Sequence, residues 1–414
     1  MDDTVVGIDV GTTKICTLVA RVEQDNALRI MGVGIEPSEG IRKGVIVDLT
    51  TASRAIARSI LLAEQTSGVK IETAVVSLAG NHVASVNSRG VVAVSGHTVD
   101  ESDIERAMDS ARGVAIPNSR EVIHVIQRGF SLDGQDGIHQ PIGMHGYRLE
   151  VEAHVITAAT ATAENLRQAV GAAGVQVAQF VLNPLASADV VLTDTERNMG
   201  VVVCDIGGGT TDLAIYVNGD VWHTMVLAVG GNHISQDIAH GLRLPLNQAE
   251  EVKKQFGHAI QSEISMDEVF NIQPFGAETP IRMSRRDMSL IIEARVEEMF
   301  DLALQEIKRS GYDGLLPAGM VLTGGTSLLP GIRQLASKVL GMPVRTAQPD
   351  KLLGLADKLS SPAYSTSVGL LTWASGLQAF PAPFRDNSPK GPKTKKGDGE
   401  NWNTVKNLLK RLLP

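Results

Sequence analysis

The chain has 414 residues, of which 43% are hydrophobic, 20% charged and 4% aromatic; its length favours two or three compact lobes. The formal net charge of −8 argues against a general nucleic-acid binder. The two cysteines, Cys16 and Cys204, each lie in an apolar run, so we expect buried, reduced thiols. With neither a secretory-signal pattern nor a run of about 18 apolar residues, we expect the body of the protein to be cytoplasmic.

Two segments of the chain repeat one pattern. Residues 5–20 read VVGIDVGTTKICTLVA, and residues 201–217 read VVVCDIGGGTTDLAIYV. In each, an apolar strand ends in Asp, a Gly/Thr turn follows, and a second apolar run comes next, as in a β-hairpin. The repetition predicts two related α/β lobes, each of which begins with the same kind of hairpin.

Helical and strand patterns alternate between and after these hairpins. An amphipathic helix is predicted over 50–68, with hydroxyl side chains as N-cap candidates and a glycine at its end. A strand is predicted over 71–80 and a further helix over 161–174. In the second half, residues 230–310 are predicted to be mostly helical and to precede the strand in AGMVLTGG.

Residues 85–157 form a different pattern, a small α+β unit inserted in the first lobe. Its helix is predicted to begin at Ser102, with Glu105 completing a capping box. Strands lie on both sides of this helix, and the last one, RLEVEAHVITA, alternates apolar and polar residues.

Three Gly/Thr turns, at 9–14, 205–212 and 323–327, follow strands. Successive N–H groups in such turns can bind phosphate oxygens, and Lys14 adds a cation. Asp9 and Asp205, at strand ends, are placed to hold the water shell of Mg²⁺. One turn of this kind is weak support for a site, but three in this order predict a phosphate-binding cleft. The candidate residues are Asp9, Gly11, Thr12, Thr13, Lys14, Asp205, Gly207, Gly208, Gly209, Thr210, Thr211, Gly324, Gly325 and Thr326.

The order of these turns, with connecting helices at 183–188 and 367–371, resembles the actin/Hsp70/sugar-kinase ATPase superfamily. Within it, the chain resembles the FtsA family of cell-division proteins through GIDVGTTKI, GIEPSEGIRKGVIVDL, VSLAGNHV, NPLASA and YSTSVGLL. The resemblance covers roughly the whole chain, and 85–157 matches the FtsA-specific inserted subdomain. It implies an α/β, actin-like, two-lobed, RNase-H-like ATPase fold with a small α+β insertion and a C-terminal amphipathic helix.

The resemblance also implies a division into subdomains. They are the first lobe core (1–84, 158–196 and 360–384), the inserted subdomain (85–157), the second lobe core (197–229 and 305–359), a subdomain that contacts nucleotide and FtsZ (230–304), a disordered linker (385–400) and a membrane-targeting helix (401–414).

The cofactors implied by the resemblance are ATP and Mg²⁺. Family analogy places further residues near the ribose and adenine, namely Gly230, Gly231, Asn232, Glu250 and Lys253; a helix cap and a solvent-facing ion pair remain the alternative interpretation of these residues. Relatives that cleave ATP well usually carry Gln, Glu or Asp in the first connecting helix, where this chain has Asn183. A neutral amide cannot accept a proton, so we expect tight ATP binding and at most slow hydrolysis.

The end of the chain predicts a membrane anchor. Residues 385–414 carry eight Lys or Arg against three Asp or Glu, which suits an anionic lipid surface. On a helical wheel, 401–414 separates an apolar face from a basic one, as in interfacial membrane helices; docking of this helix on the protein body is the alternative. The two faces comprise Trp402, Val405, Leu408, Leu409, Leu412 and Leu413 on one side, and Lys406, Lys410 and Arg411 on the other.

A long helix is predicted over 285–310, and by itself it is an ordinary solvated helix. The resemblance implies that this subdomain receives the C-terminal peptide of FtsZ, with Arg285, Arg286, Arg295 and Glu298 as candidate contacts. It further implies actin-like self-association, and contacts of 85–157 with later division proteins. The implied function is an ATP-binding polymer that tethers the FtsZ ring to the cytoplasmic face of the inner membrane at the division site, without nucleic acid.

Three alternatives share parts of this pattern. A small-molecule kinase of the same fold is disfavoured by Asn183, and an Hsp70-like chaperone by the lack of a β-rich domain after residue 384. An actin-like scaffold of type IV pilus assembly would share the turns and a similar insertion. It has less reason to end in a lipid-binding helix.

Overall fold

The computed structural model describes residues 4–23, 27–113, 116–350 and 352–379. Its strands are β1 Thr4–Val10, β2 Lys14–Val22, β3 Leu28–Pro37, β4 Ile41–Arg42, β5 Val45–Ile46, β6 Thr73–Leu78, β7 Ala84–Ala93, β8 Arg120–Leu132, β9 Gln135–Ile138, β10 Arg148–Ala159, β11 Gln176–Leu182, β12 Val201–Ile206, β13 Thr211–Val217, β14 Asp220–Leu227, β15 Val269–Ile272, β16 Ile281–Ser284, β17 Met320–Thr323, β18 Val344–Thr346 and β19 Leu353–Gly354. Its α-helices are α1 Leu49–Ser67, α2 Glu101–Arg112, α3 Thr160–Gly171, α4 Asn183–Val191, α5 Asp194–Met199, α6 Gly231–Leu242, α7 Leu246–Phe256, α8 Arg285–Ser310, α9 Ile332–Leu340 and α10 Ser365–Ala379.

The first lobe is built on a six-stranded sheet in the order β11-β6-β1-β2-β3-β19. Its central strand β1 pairs antiparallel with β2 and parallel with β6. Alternate residues of β2 face opposite sides of the sheet: Ile15 packs in a core with α1 and α3, and Leu18 packs in a second core with α4 and α10. Both faces are therefore covered by helices, which explains the continuous apolar strand pattern.

The second lobe repeats this arrangement in a five-stranded sheet ordered β14-β13-β12-β17-β18. Its strand β12 pairs antiparallel with β13 and parallel with β17, as β1 does with β2 and β6. Helices α6, α8 and α9 contribute to the core on one face, and α4 packs against the other. The repeated hairpin in the sequence thus marks equivalent positions in two related lobes.

The segment between β6 and α3 forms a separate antiparallel sheet, ordered β7-β10-β8-β9, with α2 packed on one face. We call residues 84–159 the inserted sheet unit. Its helix does not begin as predicted: Asp100 is the N-cap, and Asp103 completes the capping box. The prediction of Ser102 and Glu105 was therefore wrong by two residues, because carboxylates and hydroxyls are similarly good caps and sequence alone does not rank them.

One other local prediction needs correction. Helix α1 is capped by the Asp48 carboxylate rather than by a hydroxyl, although it does end at Gly68, whose φ is 70°. Residues 230–310 are mostly helical, as predicted, and the antiparallel pair β15–β16 lies between α7 and α8.

Both cysteines are buried and unbridged, as predicted. Within the described ranges, no helix has the length and apolar content needed to cross a bilayer. The predicted linker at 385–400 and the predicted amphipathic helix at 401–414 lie outside the described residues.

Candidate functional site

The turns after β1 and β12 approach each other closely across a cleft of about 440 Å³. A Cβ at Gly209 would lie 2.5 Å from Thr12 Oγ1, and a Cβ at Gly208 would clash with Thr13 Oγ1. A larger residue at either glycine would displace the facing threonine side chain. The two turns that the sequence placed 196 positions apart therefore form opposite walls of one site.

Most of the predicted site residues line this cleft. They are Asp9, Gly11, Thr12, Thr13, Lys14, Asp205, Gly207, Gly208, Gly209, Thr210, Gly231, Asn232, Glu250, Lys253, Gly324, Gly325 and Thr326. Two predicted residues take other positions. Thr211 is buried and donates to Val229 O at 2.9 Å, and Gly230 is the N-cap residue of α6.

The two strand-end carboxylates are held by neighbouring residues of one helix. Ser367 Oγ donates to Asp9 Oδ2 at 2.7 Å, and Thr366 Oγ1 donates to Asp205 Oδ2 at 2.7 Å. Ser77 Oγ also donates to Asp9 Oδ1 at 3.1 Å. Helix α10 thus ties the ends of β1 and β12, one from each lobe, to the same point.

Burial raises the pKa of Asp205 to about 6, and the nearby charge of Asp9 adds to this effect. The hydrogen bond from Thr366 opposes it by favouring the charged form. A cation that shares this pocket would favour the ionised carboxylate further.

Lys14 has a defined partner in the cleft. Its Nζ donates to Ala363 O and lies 3.6 Å from the centroid of the Tyr364 ring. Burial lowers the pKa of Lys14, and the charges of Asp9 and Asp205 oppose that shift. The ammonium therefore connects the first turn to the segment that precedes α10.

Two polar atoms of the cleft lining lack hydrogen-bond partners in the part of the chain that the structure describes, namely Asp212 Oδ1 and Asn183 Oδ1. Asp212 is 2% exposed, and its pKa lies well above the usual range because of burial and the neighbouring Asp205. Buried polar atoms without partners call for water, an ion or a ligand. The sequence analysis did not single out Asp212, although it ends the quoted second turn.

No group of three or more His, Cys, Asp or Glu side chains is placed to hold a metal ion, within the described residues. A protein cage that ligates a metal directly is one mode of cation binding. Mg²⁺ usually keeps several waters and needs only one or two carboxylates. Asp9 and Asp205 on the cleft wall fit that second mode.

The Glu250–Lys253 pair is not a solvent-facing pair. Lys253 Nζ lies 2.6 Å from Glu250 Oε2 and donates to Gly231 O at 3.0 Å. Ser235 Oγ also donates to Glu250 Oε2, at 2.5 Å. Burial lowers the pKa of Lys253, and its partner Glu250 opposes this shift. The pair fixes α7 against the start of α6 at the cleft wall.

Three of the four candidate contacts on α8, namely Arg285, Arg295 and Glu298, form ion pairs within the chain. Arg295 forms an ion pair with Asp237 of α6, with Nε 2.5 Å from Oδ2, and a second one with Glu298. Arg285 pairs with Glu268 at 2.5 Å. An incoming acidic group at either arginine would compete with a resident carboxylate.

Comparison with known proteins identifies the family. A profile described as "Cell division protein FtsA" matches residues 202–369, and one described as "SHS2 domain inserted in FTSA" matches 80–157. The chain is 41% identical to the cell division protein FtsA of Pseudomonas aeruginosa, over 90% of this chain and 89% of that protein. The chain belongs to the FtsA family. It is also 38% identical to FtsA of Bacillus subtilis, over 89% of this chain and 83% of that one.

Solved structures support the fold of this family member. A chain of the "PilM-PilN type IV pilus biogenesis complex" superposes with a TM-score of 0.62 at 16% identity, covering 90% of this chain and 98% of that one. MreB5 of Spiroplasma citri bound to ADP superposes with a TM-score of 0.54 at 16% identity, covering 91% and 97%. The predicted actin-like fold, the insertion and the cell-division role are confirmed, and family membership decides against the kinase, chaperone and pilus-scaffold alternatives.

Proposed function

We propose that this chain binds Mg-ATP in the cleft, assembles into actin-like filaments and tethers the FtsZ ring to the cytoplasmic face of the inner membrane. The proposal rests on the pair of hydrogen bonds from α10 to Asp9 and Asp205. Asp9 and Asp205 come from the two lobes, and neighbouring hydroxyls of α10 hold both. A ligand that bridges these carboxylates would hold the lobes together.

The residues of the cleft suit each part of a nucleotide. The N–H groups and hydroxyls of the three Gly/Thr turns suit phosphate oxygens, and Asp9 and Asp205 would hold the waters of Mg²⁺. Bound Mg²⁺ would offset the phosphate charge. Glu250 and Lys253 pair with each other and line the cleft, and they would contact the ribose or the base.

Asn183 is the reason to expect a slow ATPase. It begins α4 and lines the cleft, but its neutral amide cannot act as a general base. General-base assistance contributes roughly 10²–10⁴-fold in rate. ATP would then act mainly as a ligand that stabilises the filament-forming state.

The proposal includes the subdomain division that the family resemblance implies. The inserted subdomain, 85–157, would contact neighbouring subunits and later division proteins. The 230–304 subdomain would receive the FtsZ C-terminal peptide at Arg285, Arg286, Arg295 and Glu298, where acidic groups of the peptide would replace resident partners such as Asp237.

Membrane attachment would come from residues 401–414. A 14-residue helix is only about 21 Å long, so one anchor should bind reversibly. A filament that presents many anchors on one side gains avidity of roughly 10²–10⁴-fold without new contacts. Filament assembly and membrane binding would therefore reinforce each other.

A co-sedimentation experiment tests the tether directly. FtsZ and anionic phosphatidylglycerol vesicles are mixed with Mg-ATP and either the full chain or a chain that ends at Ser388. We expect FtsZ to pellet with the vesicles only when the full chain is present. If the full chain and FtsZ both stay in the supernatant, the tethering proposal is wrong.

A further inference from the structure

The inserted sheet unit contacts the second lobe as well as the first. Strand β14, at the edge of the second-lobe sheet, packs against β7, β8 and β10. The main link is Thr224 on β14. Its Oγ1 lies 2.9 Å from His154 Nε2, and its carbonyl accepts from Ser85 Oγ at 3.1 Å. The other ring nitrogen of His154, Nδ1, lies 2.7 Å from Asn87 Oδ1, so the imidazole joins β10, β7 and β14.

A second contact strengthens this junction. Trp222 lies two residues before Thr224 on β14, at a β-bulge, and packs against the same core as Met225 and Leu227. The Arg128 guanidinium of β8 stacks over its ring at 3.7 Å from the centroid. Arg128 is 7% exposed. A guanidinium stacked on an indole is a favourable cation–π contact, and it is stronger when the cation is desolvated. This contact therefore adds to the hydrogen bonds of Thr224 at the junction.

A third contact leads from the inserted sheet unit to the cleft. His124 Nε2, on β8, accepts a hydrogen bond from Leu182 N at 3.2 Å. Leu182 is the N-cap residue of α4, and the next residue is Asn183 in the cleft. The His124 ring also packs on Trp373 of α10, with 5.2 Å between ring centroids. Both helices that His124 touches reach the cleft floor.

The two histidines are neutral links rather than charged ones. Burial lowers the pKa of His124 to about 4. Burial also lowers the pKa of His154 to about 3, with further contributions from His223, Arg128 and His124. The neutral His154 imidazole, which has partners on both ring nitrogens, forms a fixed hydrogen-bond network in a low-dielectric site.

We propose that the inserted sheet unit is coupled to the cleft through His154–Thr224 and His124–Leu182, so that ATP binding changes how firmly this unit docks on the second lobe. The unit continues covalently from the first lobe through β6 and α3, whereas among the described residues it meets the second lobe through side-chain and packing contacts. Any movement of one lobe against the other must therefore act on the β14 junction. By linkage, a partner bound to the unit would change ATP affinity by the same factor.

This inference rests on the proposed function, because it requires ATP to bind in the cleft. The test is hydrogen–deuterium exchange of the full chain with and without Mg-ATP. The wild type is compared with Thr224→Val, which removes the hydroxyl and keeps the shape. The matched control is Ser88→Ala, because the Ser88 hydroxyl donates to Ala111 O inside the unit and does not reach β14.

In the wild type and in Ser88→Ala, we expect Mg-ATP to slow exchange in 9–14 and 205–212. We also expect it to slow exchange in β7 and β10 by about fivefold or more, the lower end of usual allosteric coupling. In Thr224→Val, the cleft segments should remain protected while the effect on β7 and β10 falls below about twofold.

Three outcomes would overturn the inference. If ATP protects the cleft but not β7 and β10 in the wild type, the unit is not coupled to the cleft. If Thr224→Val responds like the wild type, the coupling does not pass through this contact. If ATP protects nothing, the proposed nucleotide site fails, and this inference fails with it.

Discussion

Ser367 Oγ donates a 2.7 Å hydrogen bond to Asp9 Oδ2, and 358 positions of sequence separate the two residues. Both side chains are buried. The next residue towards the N-terminus, Thr366, makes the equivalent bond to Asp205. One helical turn of α10 therefore fixes the two carboxylates that the proposed Mg-ATP site requires.

Removal of the Ser367 hydroxyl should destabilise the protein without nucleotide. In Ser367→Ala, Asp9 Oδ2 loses its buried donor, which costs about 1–3 kcal/mol in the free energy of unfolding. Urea denaturation measures this loss. The control is Ser375→Ala on the same helix, because that hydroxyl donates to the local carbonyl Thr372 O, and its effect should stay within about 0.5 kcal/mol. If both variants lose the same free energy of unfolding, the Ser367–Asp9 hydrogen bond does not have the proposed stabilising role.

The raised pKa of Asp205 predicts a pH dependence with a definite sign. Between pH 4 and 6 the folded state keeps a proton that the unfolded state has lost, so the contribution of this group to stability falls as pH rises. Asp205→Asn does not titrate. We therefore compare the free energies of unfolding of Asp205→Asn and the wild type, both without nucleotide. As pH rises from 4 to 7, the difference should shift by about 2–3 kcal/mol in favour of the variant. Urea denaturation across this range gives the difference, and a constant difference would show that the pKa of Asp205 is not raised.

Gly208 should tolerate no side chain. In Gly208→Ala the new methyl group clashes with Thr13 Oγ1, so we expect ATP affinity to fall by at least about tenfold, equivalent to 1.4 kcal/mol. Titration with a fluorescent ATP analogue measures the affinity. Gly171→Ala on α3 is the control, because its Cβ meets no atom within 4 Å. The double variant Gly208→Ala/Thr13→Ala removes the clash and should recover part of the affinity; unchanged binding in Gly208→Ala would contradict the close approach.

The ion pair between Arg295 and Asp237 makes a prediction about FtsZ. We expect two opposite effects if Arg295 receives an acidic group of the FtsZ C-terminal peptide. Asp237→Asn should bind the peptide about two- to tenfold more tightly, because the carboxylate that competes for Arg295 is gone. Arg295→Ala should bind the peptide more weakly, by an amount within the range of single charge pairs. Fluorescence anisotropy with the labelled peptide measures both. Arg309→Ala is the control on the same helix, where Arg309 pairs with Glu306. Unchanged affinity in both test variants would exclude Arg295 from the peptide site.

The tail prediction concerns charge placement. If 401–414 forms the predicted amphipathic helix, Leu409→Glu puts a carboxylate on its apolar face, whereas Asn403→Glu adds the same charge on its polar face. We expect Leu409→Glu to abolish pelleting with phosphatidylglycerol vesicles, because it would bury a charge among the acyl chains. Asn403→Glu should weaken pelleting only a few-fold, because it only reduces the electrostatic attraction to the anionic surface. Equal losses in both variants would show that the tail binds through charge alone.

The sequence by itself determined the local parts of this site. In both hairpins an apolar strand is followed by an aspartate and a glycine turn, as at Asp9 and Asp205. This pattern depends only on neighbouring residues, so the hairpins could be predicted from residue order and type. The sequence also predicted that 85–157 form a separate inserted unit, because the strand pattern there differs from that of the lobes. The N-cap residues could not be predicted, since Asp48 and Asp100 compete with nearby hydroxyls of similar capping strength.

Only the tertiary structure decided which distant residues meet. The bonds from Ser367 to Asp9 and from His154 to Thr224 join residues far apart in sequence, and no local periodicity marks either partner. Likewise, Arg295 reads as an exposed charge on a helix until the fold brings Asp237 beside it. Such pairs depend on how the two sheets and the inserted sheet unit pack, and packing is a property of the whole chain rather than of any segment.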